Sequence, residues 1–360
     1  MKVGIIGLEY AGKKGLFALL TGIKKPDGYQ QTREEIGIVD VPDERIDYLA
    51  KFYNTEKKTY SKIEFSLLPS IEKGDKALDG GVPAGAGKAL LEAKEVDMFA
   101  VVVRQFADSN VFHPLGGVDI VRDYQIIKDE LIFADLFMVE TRIERIEKQS
   151  KTKNAAQIEK EKSLMVKLKA NLEKGVFLNK VALSQDELKE IKSLSFLTLR
   201  PIFVVVNCDE DKLHENFDFA DKENEIKSIN ISIKIEGEVQ QLDEKSKAEF
   251  LETMSLTETS LNRLIKFSYN FGNLISFLTA GPKEVRSWTI RKGSNAVKAA
   301  GTIHSDMEKG FIRAEMISFE DLKKVGSEAE AKKLAYYRLE GKEYVVQDGD
   351  IADIRFNISK

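Results

Sequence analysis

Residues 1–20 read MKVGIIGLEYAGKKGLFALL, and this stretch decides the fold. A short apolar strand, Lys2–Ile6, runs directly into Gly7–Lys13, which reads GLEYAGK, and a helix is predicted at Leu16–Leu20. This is nearly a phosphate-binding loop (P-loop), in which glycines bring backbone N–H groups close to phosphates and a lysine contacts the terminal phosphates. A complete match continues with Ser or Thr, because that hydroxyl binds magnesium, whereas this chain has Lys14.

Apolar strands and helical patterns alternate outward from this loop. The runs that predict strands are Glu35–Val41, Lys62–Leu68, Asp97–Arg104 and Pro201–Val206. Such alternation is typical of a mostly parallel sheet with helices on both faces. We therefore predict an α/β fold with a P-loop nucleotide-binding domain formed by residues 1–121 and 200–275.

The middle of the chain, residues 122–199, is rich in Glu, Lys, Leu and Ala and almost free of Gly and Pro. Two apolar stripes at helical spacing flank the polar turn KQSKTKN, residues 148–154, and predict two long antiparallel helices. Ser184–Glu187 has the pattern of a capping box that opens a further helix. We predict that this segment is a helical arm inserted into the nucleotide-binding domain.

The C-terminal part changes pattern again. Short apolar runs such as VRSWTI (285–290) and GFIRAEMI (310–317) alternate with turn signals, and Glu320–Glu340 is predicted to be helical. A small mixed sheet with a helix across it, of the α+β type, fits this pattern. We place this domain at residues 276–360.

Composition and charge exclude several classes of protein. The net charge of −4 excludes a molecule that is basic throughout and binds nucleic acid non-specifically. No apolar run approaches the roughly 18 residues of a membrane helix, so we expect no membrane partner. Cys208 is the only cysteine, so an internal disulfide is excluded and a cytoplasmic location is the simplest expectation.

Charge is nevertheless unevenly distributed. Residues 281–313 contain seven basic side chains against three acidic ones, a local excess that can attract a polyanion, although an ordinary mixed surface has a similar composition. The residues of this stretch that we predict to contact RNA are Lys283, Arg286, Arg291, Lys292, Lys309 and Arg313.

A second candidate motif follows the buried strand PIFVVV. It reads Asn207-Cys208-Asp209-Glu210, at the place where guanine-specific P-loop proteins carry Asn-Lys-x-Asp, whose carboxylate accepts hydrogen bonds from guanine. Here the pattern is Asn-x-x-Glu and the lysine is missing. A polar turn after a buried strand is the alternative interpretation.

Taken together, these segments resemble the YchF type of Obg-like P-loop ATPases. GLEYAGKKGLFALLT (7–21) resembles the family's GLPNVGKSTLFNALT, and SLSFLTLRPIFVVVNCDE (193–210) resembles its strand with the Asn-x-x-Glu motif of ATP preference. VPDERID (41–47) resembles its stretch after the first switch, and residues 277–322 and 340–357 resemble its TGS domain most strongly. The similarity runs nearly from end to end.

The resemblance implies a nucleotide-binding domain, an inserted helical arm and a C-terminal ubiquitin-like (β-grasp) TGS domain. It also implies that ATP or GTP is bound, with ATP preferred, and that the TGS domain and the arm contact the ribosome or RNA, without DNA specificity. The nucleotide-binding residues that it implies are Gly7, Glu9, Tyr10, Ala11, Gly12, Lys13, Lys14, Gly15, Asn207, Glu210, Ser232 and Ile233.

The sequence departs from the family where magnesium is handled. Lys14 stands in place of a Ser, Leu67 in place of the Asp of the second switch, and Ser70 in place of its Gly. The magnesium-contacting Thr of the first switch falls on Gln31, with Thr32 one position away. Magnesium requires oxygen ligands, so these changes suggest that metal-assisted phosphoryl transfer is lost or rebuilt.

Three functions remain open at this point. The first is a nucleotide-binding translation regulator with slow or lost hydrolysis, for which we assign no catalytic residue. The second is an active ATPase or GTPase whose magnesium ligands have moved to Asp75, Asp79 or Thr32. The third is an interaction scaffold that binds no nucleotide. Lys14 is correspondingly either an ordinary surface lysine or a tethered cation in the place of the metal.

Overall fold

The structure, a computed structural model, describes residues 1–23, 34–71, 93–149 and 155–357. Its strands are β1 (Lys2–Gly7), β2 (Glu35–Asp40), β3 (Lys58–Thr59), β4 (Lys62–Leu67), β5 (Met98–Arg104), β6 (Ile202–Asn207), β7 (Lys227–Ile231), β8 (Leu274–Ala280), β9 (Val285–Arg291), β10 (Phe311–Ser318), β11 (Arg338–Glu340) and β12 (Asp350–Phe356). Its helices are α1 (Lys13–Thr21), α2 (Glu44–Phe52), α3 (Ile120–Gln149), α4 (Ala155–Leu172), α5 (Gln185–Ile191), α6 (Ile233–Val239), α7 (Glu244–Thr253), α8 (Ser260–Phe271), α9 (Ala296–Ile303), α10 (Ser305–Lys309), α11 (Phe319–Val325) and α12 (Glu328–Lys333).

The described residues form two compact units. The first unit comprises Met1–Ile38 and Glu64–Leu261, and the second comprises Val39–Ile63 and Asn262–Lys360. Residues 39–63 and 262–275 are predicted from the sequence to belong to the nucleotide-binding domain, whereas in the structure both pack with the C-terminal residues. Residues 39–63 belong to the second unit because α2 buries its apolar face, including Ile46, in a core to which β8, β9 and β10 also contribute.

The first unit is built on a six-stranded sheet with the order β2-β4-β1-β5-β6-β7. The pairs β1–β4, β1–β5, β5–β6 and β6–β7 are parallel. Every residue of β5 and of β6 is buried, as the uninterrupted apolar runs of these two strands require in a sheet covered on both faces. The predicted α/β class is confirmed, and parallel pairing brings the carboxyl ends of β1, β5 and β6 to one edge.

The helical arm of the first unit consists of α3 and α4, which run antiparallel. Ion pairs between them join Glu140 to Lys169 and Glu147 to Lys162. A later residue of α3 thus pairs with an earlier residue of α4, as antiparallel helices require. Both predicted apolar stripes lie in the core of this unit, with Leu131 and Leu168 fully buried among them. The capping box that opens α5 is also formed as predicted, because Ser184 and Glu187 each accept a hydrogen bond from the other's backbone N–H.

The second unit contains a six-stranded mixed sheet with the order β11-β10-β12-β8-β9-β3. The pairs β8–β9, β10–β12 and β10–β11 are antiparallel, whereas β12–β8 and β3–β9 are parallel. Helix α9 packs on this sheet through Ala296, Ala299 and Ala300, whose small side chains are fully buried beside Phe277. This mixed sheet with a helix across it is the expected β-grasp arrangement of the C-terminal domain.

One helix prediction in the second unit is wrong. Glu320–Glu340 was expected to be helical throughout, but the segment contains two short helices and then strand β11. Gly326, with φ +70°, ends α11, and the hydroxyl of Ser327 accepts the N–H of Glu330 to start α12. These local end signals override the helical periodicity of the segment.

A buried carboxylate fixes the arm to the segment that enters β6. The side chain of Asp135, on α3, is fully buried and accepts hydrogen bonds from the N–H groups of Leu197 and Thr198, both at 2.8 Å. It also accepts the hydroxyl of Thr198 at 2.7 Å. Three donors therefore depend on one acidic side chain that has no contact with water.

We predict that Asp135→Ala lowers the free energy of unfolding by about 3 kcal/mol, because it leaves three buried donors without an acceptor. Urea denaturation followed by circular dichroism measures the change. Glu144→Ala on the exposed side of the same helix is the control, with an expected change below about 0.5 kcal/mol. Equal effects of the two substitutions would contradict the anchoring role of Asp135.

Candidate nucleotide-binding site

The loop between β1 and α1 depends on two glycines. A Cβ on Gly7 would lie 2.5 Å from the carbonyl oxygen of Val102 on β5. Gly12 has φ +102°, and a Cβ there would clash with the amide nitrogen of Asn207 and lie 2.8 Å from Cδ1 of Ile233. Since no side chain fits at either position, the loop can pass this close to β5 and β6 only because both residues are glycine.

Lys13 lies at the centre of the site. Its side chain is only 4% exposed, and its ammonium group donates to the carbonyl oxygens of Gly7 at 2.6 Å and Leu8 at 3.2 Å. The third donor reaches the hydroxyl of Ser70 at 2.7 Å. Burial lowers the pKa of Lys13 to about 7; the carboxylate of Glu9 opposes this shift and the charge of Lys14 adds to it.

Asn207, the last residue of β6, joins three parts of the site. Its amide nitrogen donates to the carbonyl oxygen of Ala11 at 3.1 Å, and its amide oxygen accepts the N–H of Ile233 at 3.3 Å. Ser232 precedes Ile233 and is the buried N-cap residue of α6. The structure therefore brings together the predicted residues Ala11, Gly12, Asn207, Ser232 and Ile233, although they are about two hundred positions apart in the chain.

The remaining predicted residues lie at the rim. Glu9, Lys14 and Glu210 are exposed, and Gly15 is half-buried on the first turn of α1. Tyr10 has φ +59° and is 54% exposed. Among the residues that the structure describes, nothing buries the side chains of Glu9, Tyr10, Lys14 and Glu210.

Arg104, which belongs to none of the motifs recognised in the sequence, organises the loop after β5. Its side chain is 3% exposed and donates to the carbonyl oxygens of Phe106, Asp108, Val111 and Phe112. The ring of Phe112 meets Tyr10 edge-on, with 6.1 Å between the ring centroids. The available signal was an arginine at the end of the otherwise apolar strand MFAVVVR.

The side chains at the two described positions that correspond to magnesium ligands of P-loop proteins do not fit the ion. Lys14 offers a cation and Leu67, fully buried, offers no oxygen ligand. No group of three or more His, Cys, Asp or Glu side chains that could hold a metal occurs within the described ranges. Gln31, Thr32, Asp75 and Asp79, the other candidates, lie outside the residues that the structure describes.

The predicted RNA-contacting residues belong to the second unit. Lys283, Arg291, Lys292, Lys309 and Arg313 are exposed. Arg286 is half-buried and its guanidinium lies over the ring of Trp288, 3.9 Å from the centroid. Such stacking holds a guanidinium in place and leaves its edge free to bind anions. In the part of the chain that is described, no helix is both long and apolar enough to span a membrane.

The sheet order, the glycine loop and its buried lysine define the class of P-loop nucleoside triphosphatases. Comparison with known proteins identifies the family. The family model YchF-GTPase_C, described as a protein of unknown function (DUF933), matches residues 274–357. The ribosome-binding ATPase YchF of Bacillus subtilis (strain 168) is 38% identical over 370 residues, which cover 99% of this chain and 100% of that protein.

A second relative and a solved structure agree with this result. The ribosome-binding ATPase YchF of Escherichia coli O157:H7 is 36% identical over 368 residues, or 99% of each chain. The structure of the Schizosaccharomyces pombe YchF GTPase superposes with a TM-score of 0.80 at 30% identity, covering 99% of this chain and 97% of that one. The chain belongs to the YchF family of Obg-like P-loop ATPases.

The pKa of Lys13 leads to a prediction about pH. Only the ammonium form attracts phosphate, and above pH 7 the ligand-free site increasingly holds the neutral amine. Binding must then take up a proton, so the affinity for ATP should fall from pH 7 to pH 9 by up to about tenfold per unit.

Isothermal titration in two buffers of different ionisation enthalpy measures both the affinity and the proton uptake. Lys13→Arg, which stays charged over this range, is the control and should show little pH dependence. A wild-type affinity that is constant between pH 7 and pH 9 would contradict the lowered pKa of Lys13.

Proposed function

We propose that this protein binds ATP in preference to GTP and associates with the ribosome as a regulator of translation, with hydrolysis that is slow or lost. The observation that carries the proposal is the loop itself, in which Gly7 and Gly12 leave no room for side chains and Lys13 is held at the centre. It occurs in a chain that matches ribosome-binding ATPases over nearly its whole length.

The preference for ATP rests on the segment after β6. Asn207 is engaged with the loop and with the start of α6, and the position that carries the guanine-binding Asp in guanine-specific proteins is Glu210. A longer carboxylate without the motif's lysine is a poor fit to guanine.

Slow or absent hydrolysis follows from the chemistry of the metal positions. Phosphoryl transfer depends on a cation that neutralises charge developing between the β- and γ-phosphates, and magnesium does this in P-loop enzymes. Lys14 and Leu67 do not bind magnesium. The residues Gly7, Glu9, Tyr10, Ala11, Gly12, Lys13, Lys14, Gly15, Asn207, Glu210, Ser232 and Ile233 are proposed to hold the nucleotide.

For the ribosome, we propose contact through RNA, made by the C-terminal unit and the helical arm. The exposed basic residues of the second unit support an electrostatic contact with the phosphate backbone, for which a local excess of positive charge is sufficient. A ribosomal partner also implies a cytoplasmic location. We propose neither a membrane partner nor sequence-specific DNA binding.

The nucleotide-binding part is tested with Lys13→Ala. ATP affinity measured by titration should fall at least tenfold, because the substitution removes the loop's ammonium group. Lys174→Ala, an exposed lysine in the same unit, is the matched control and should leave affinity unchanged.

A steady-state ATPase assay on the same proteins separates the alternatives. Turnover that Lys13→Ala abolishes would favour an active ATPase with relocated magnesium ligands. Failure of the wild-type chain to bind any nucleotide would favour a scaffold and overturn the proposal.

The ribosome part is tested by co-sedimentation across a salt series. Binding should weaken as salt rises, and the triple substitution Arg291→Ala, Lys292→Ala and Lys309→Ala should lower the slope of log affinity against log salt by about one per lost contact. The control is Lys51→Ala with Lys324→Ala and Lys342→Ala, three exposed lysines of the same unit. If both triple variants show the same slope of log affinity against log salt, Arg291, Lys292 and Lys309 do not contact the ribosome.

A further inference from the structure

Two positions normally bring magnesium to a P-loop. The hydroxyl after the loop lysine binds the ion directly, and an aspartate at the end of a neighbouring strand holds it on the other side. Here the first position is Lys14 and the second is Leu67, the last residue of β4. One change replaces an oxygen ligand by a cation and the other by a buried hydrocarbon, so neither position retains a ligand.

The geometry places the charge of Lys14 next to that of Lys13. Lys14 is the second residue of α1, and its side chain is exposed among the residues that the structure describes. Lys13, the first residue of the same helix, is buried and donates to the loop carbonyl groups of Gly7 and Leu8. Two consecutive lysines and the N-terminus of a nine-residue helix therefore concentrate positive charge at this end of the loop.

Lys13 alone does not compensate for the missing ion. Its three donors bind the carbonyl oxygens of Gly7 and Leu8 and the hydroxyl of Ser70. A phosphate would exchange with Ser70 more readily than with the two carbonyl groups, because those belong to the loop that forms the cradle. Ser70 in turn has its oxygen engaged by an ammonium group, which makes it a poor ligand for a second cation.

From this arrangement we infer that the site binds ATP without magnesium, and that the ammonium group of Lys14 occupies the place of the ion against the phosphates. The inference rests on the proposed nucleotide-binding function and specifies the ligand as the metal-free nucleotide. A single tethered charge replaces a divalent ion, so binding is retained while the neutralisation that hydrolysis needs is reduced. No metal ligand needs to be supplied by another part of the chain.

The test is titration of the full chain with ATP in excess magnesium and, separately, in EDTA. We expect the two dissociation constants of the wild type to agree within about threefold. Lys14→Ser restores the hydroxyl and removes the charge, so the affinity in EDTA should fall about tenfold, the cost of losing one charge-assisted contact to phosphate.

Lys174→Ser is the matched control, because it makes the same change in net charge at an exposed site of the same unit. It should leave both dissociation constants unchanged, and circular dichroism and thermal melting of each variant report whether it is folded. Lys14→Arg retains the charge and should keep the affinity in EDTA, which separates loss of charge from local disruption of α1.

The outcomes distinguish this inference from the function on which it rests. If the wild type binds ATP only with magnesium, or if Lys14→Ser binds as tightly as wild type in EDTA, the inference is wrong and nucleotide binding stands. If the wild type binds no ATP under either condition, the proposed function fails and the inference fails with it.

Discussion

The first unit depends on how closely the backbone of Gly12 approaches the side chain of Asn207. No Cβ fits between them, and the same amide group binds the loop through Ala11 and the start of α6 through Ile233. One side chain therefore fixes the loop after β1, the end of β6 and the beginning of a helix relative to one another. A phosphate loop binds anions well only when its N–H groups are held in place beforehand, and this contact holds them.

The electrostatics of the site follow from that rigidity. A loop held against β5 and β6 buries Lys13, and burial penalises the ammonium form. The protein offsets part of this penalty with two carbonyl groups and the hydroxyl of Ser70. An anionic ligand would offset more of it, so the ligand-free site is electrostatically suited to take up phosphate. The exposed charge of Lys14 strengthens the same tendency.

The sheet of the first unit also explains how a long arm can be inserted without disturbing the site. Strands β5 and β6 pair directly, although more than ninety residues, including α3, α4 and α5, separate them in the chain. The buried carboxylate of Asp135 anchors the arm to the segment before β6 through three hydrogen bonds. The chain thus re-enters the sheet at a fixed point, and the position of Asn207 at the end of β6 is preserved.

Local chemistry in the sequence determined the strand–loop–helix unit at the start of the chain, the buried parallel strands, the paired helices of the arm and the capping box at Ser184. Each depends on glycines, periodicity or neighbours within a few residues, so each can be inferred without knowing distant contacts. The resemblance to the YchF family supplied the nucleotide-binding residues outside the loop motif and the β-grasp interpretation of the C-terminal domain. The same resemblance identifies Lys14 and Leu67 as positions where the family's magnesium-binding Ser and Asp are replaced.

Only the tertiary structure decided which distant groups meet. The sequence indicated a base-reading role for Asn207, but it did not reveal the bonds to the loop and to α6. It also did not indicate that the hydroxyl of Ser70 would accept a hydrogen bond from Lys13, 57 positions away. The contacts of Arg104 with the loop that carries Phe112 were equally hidden, as was the packing of residues 39–63 with the C-terminal unit. These contacts depend on the order of strands in the two sheets, which brings together side chains that no local pattern connects.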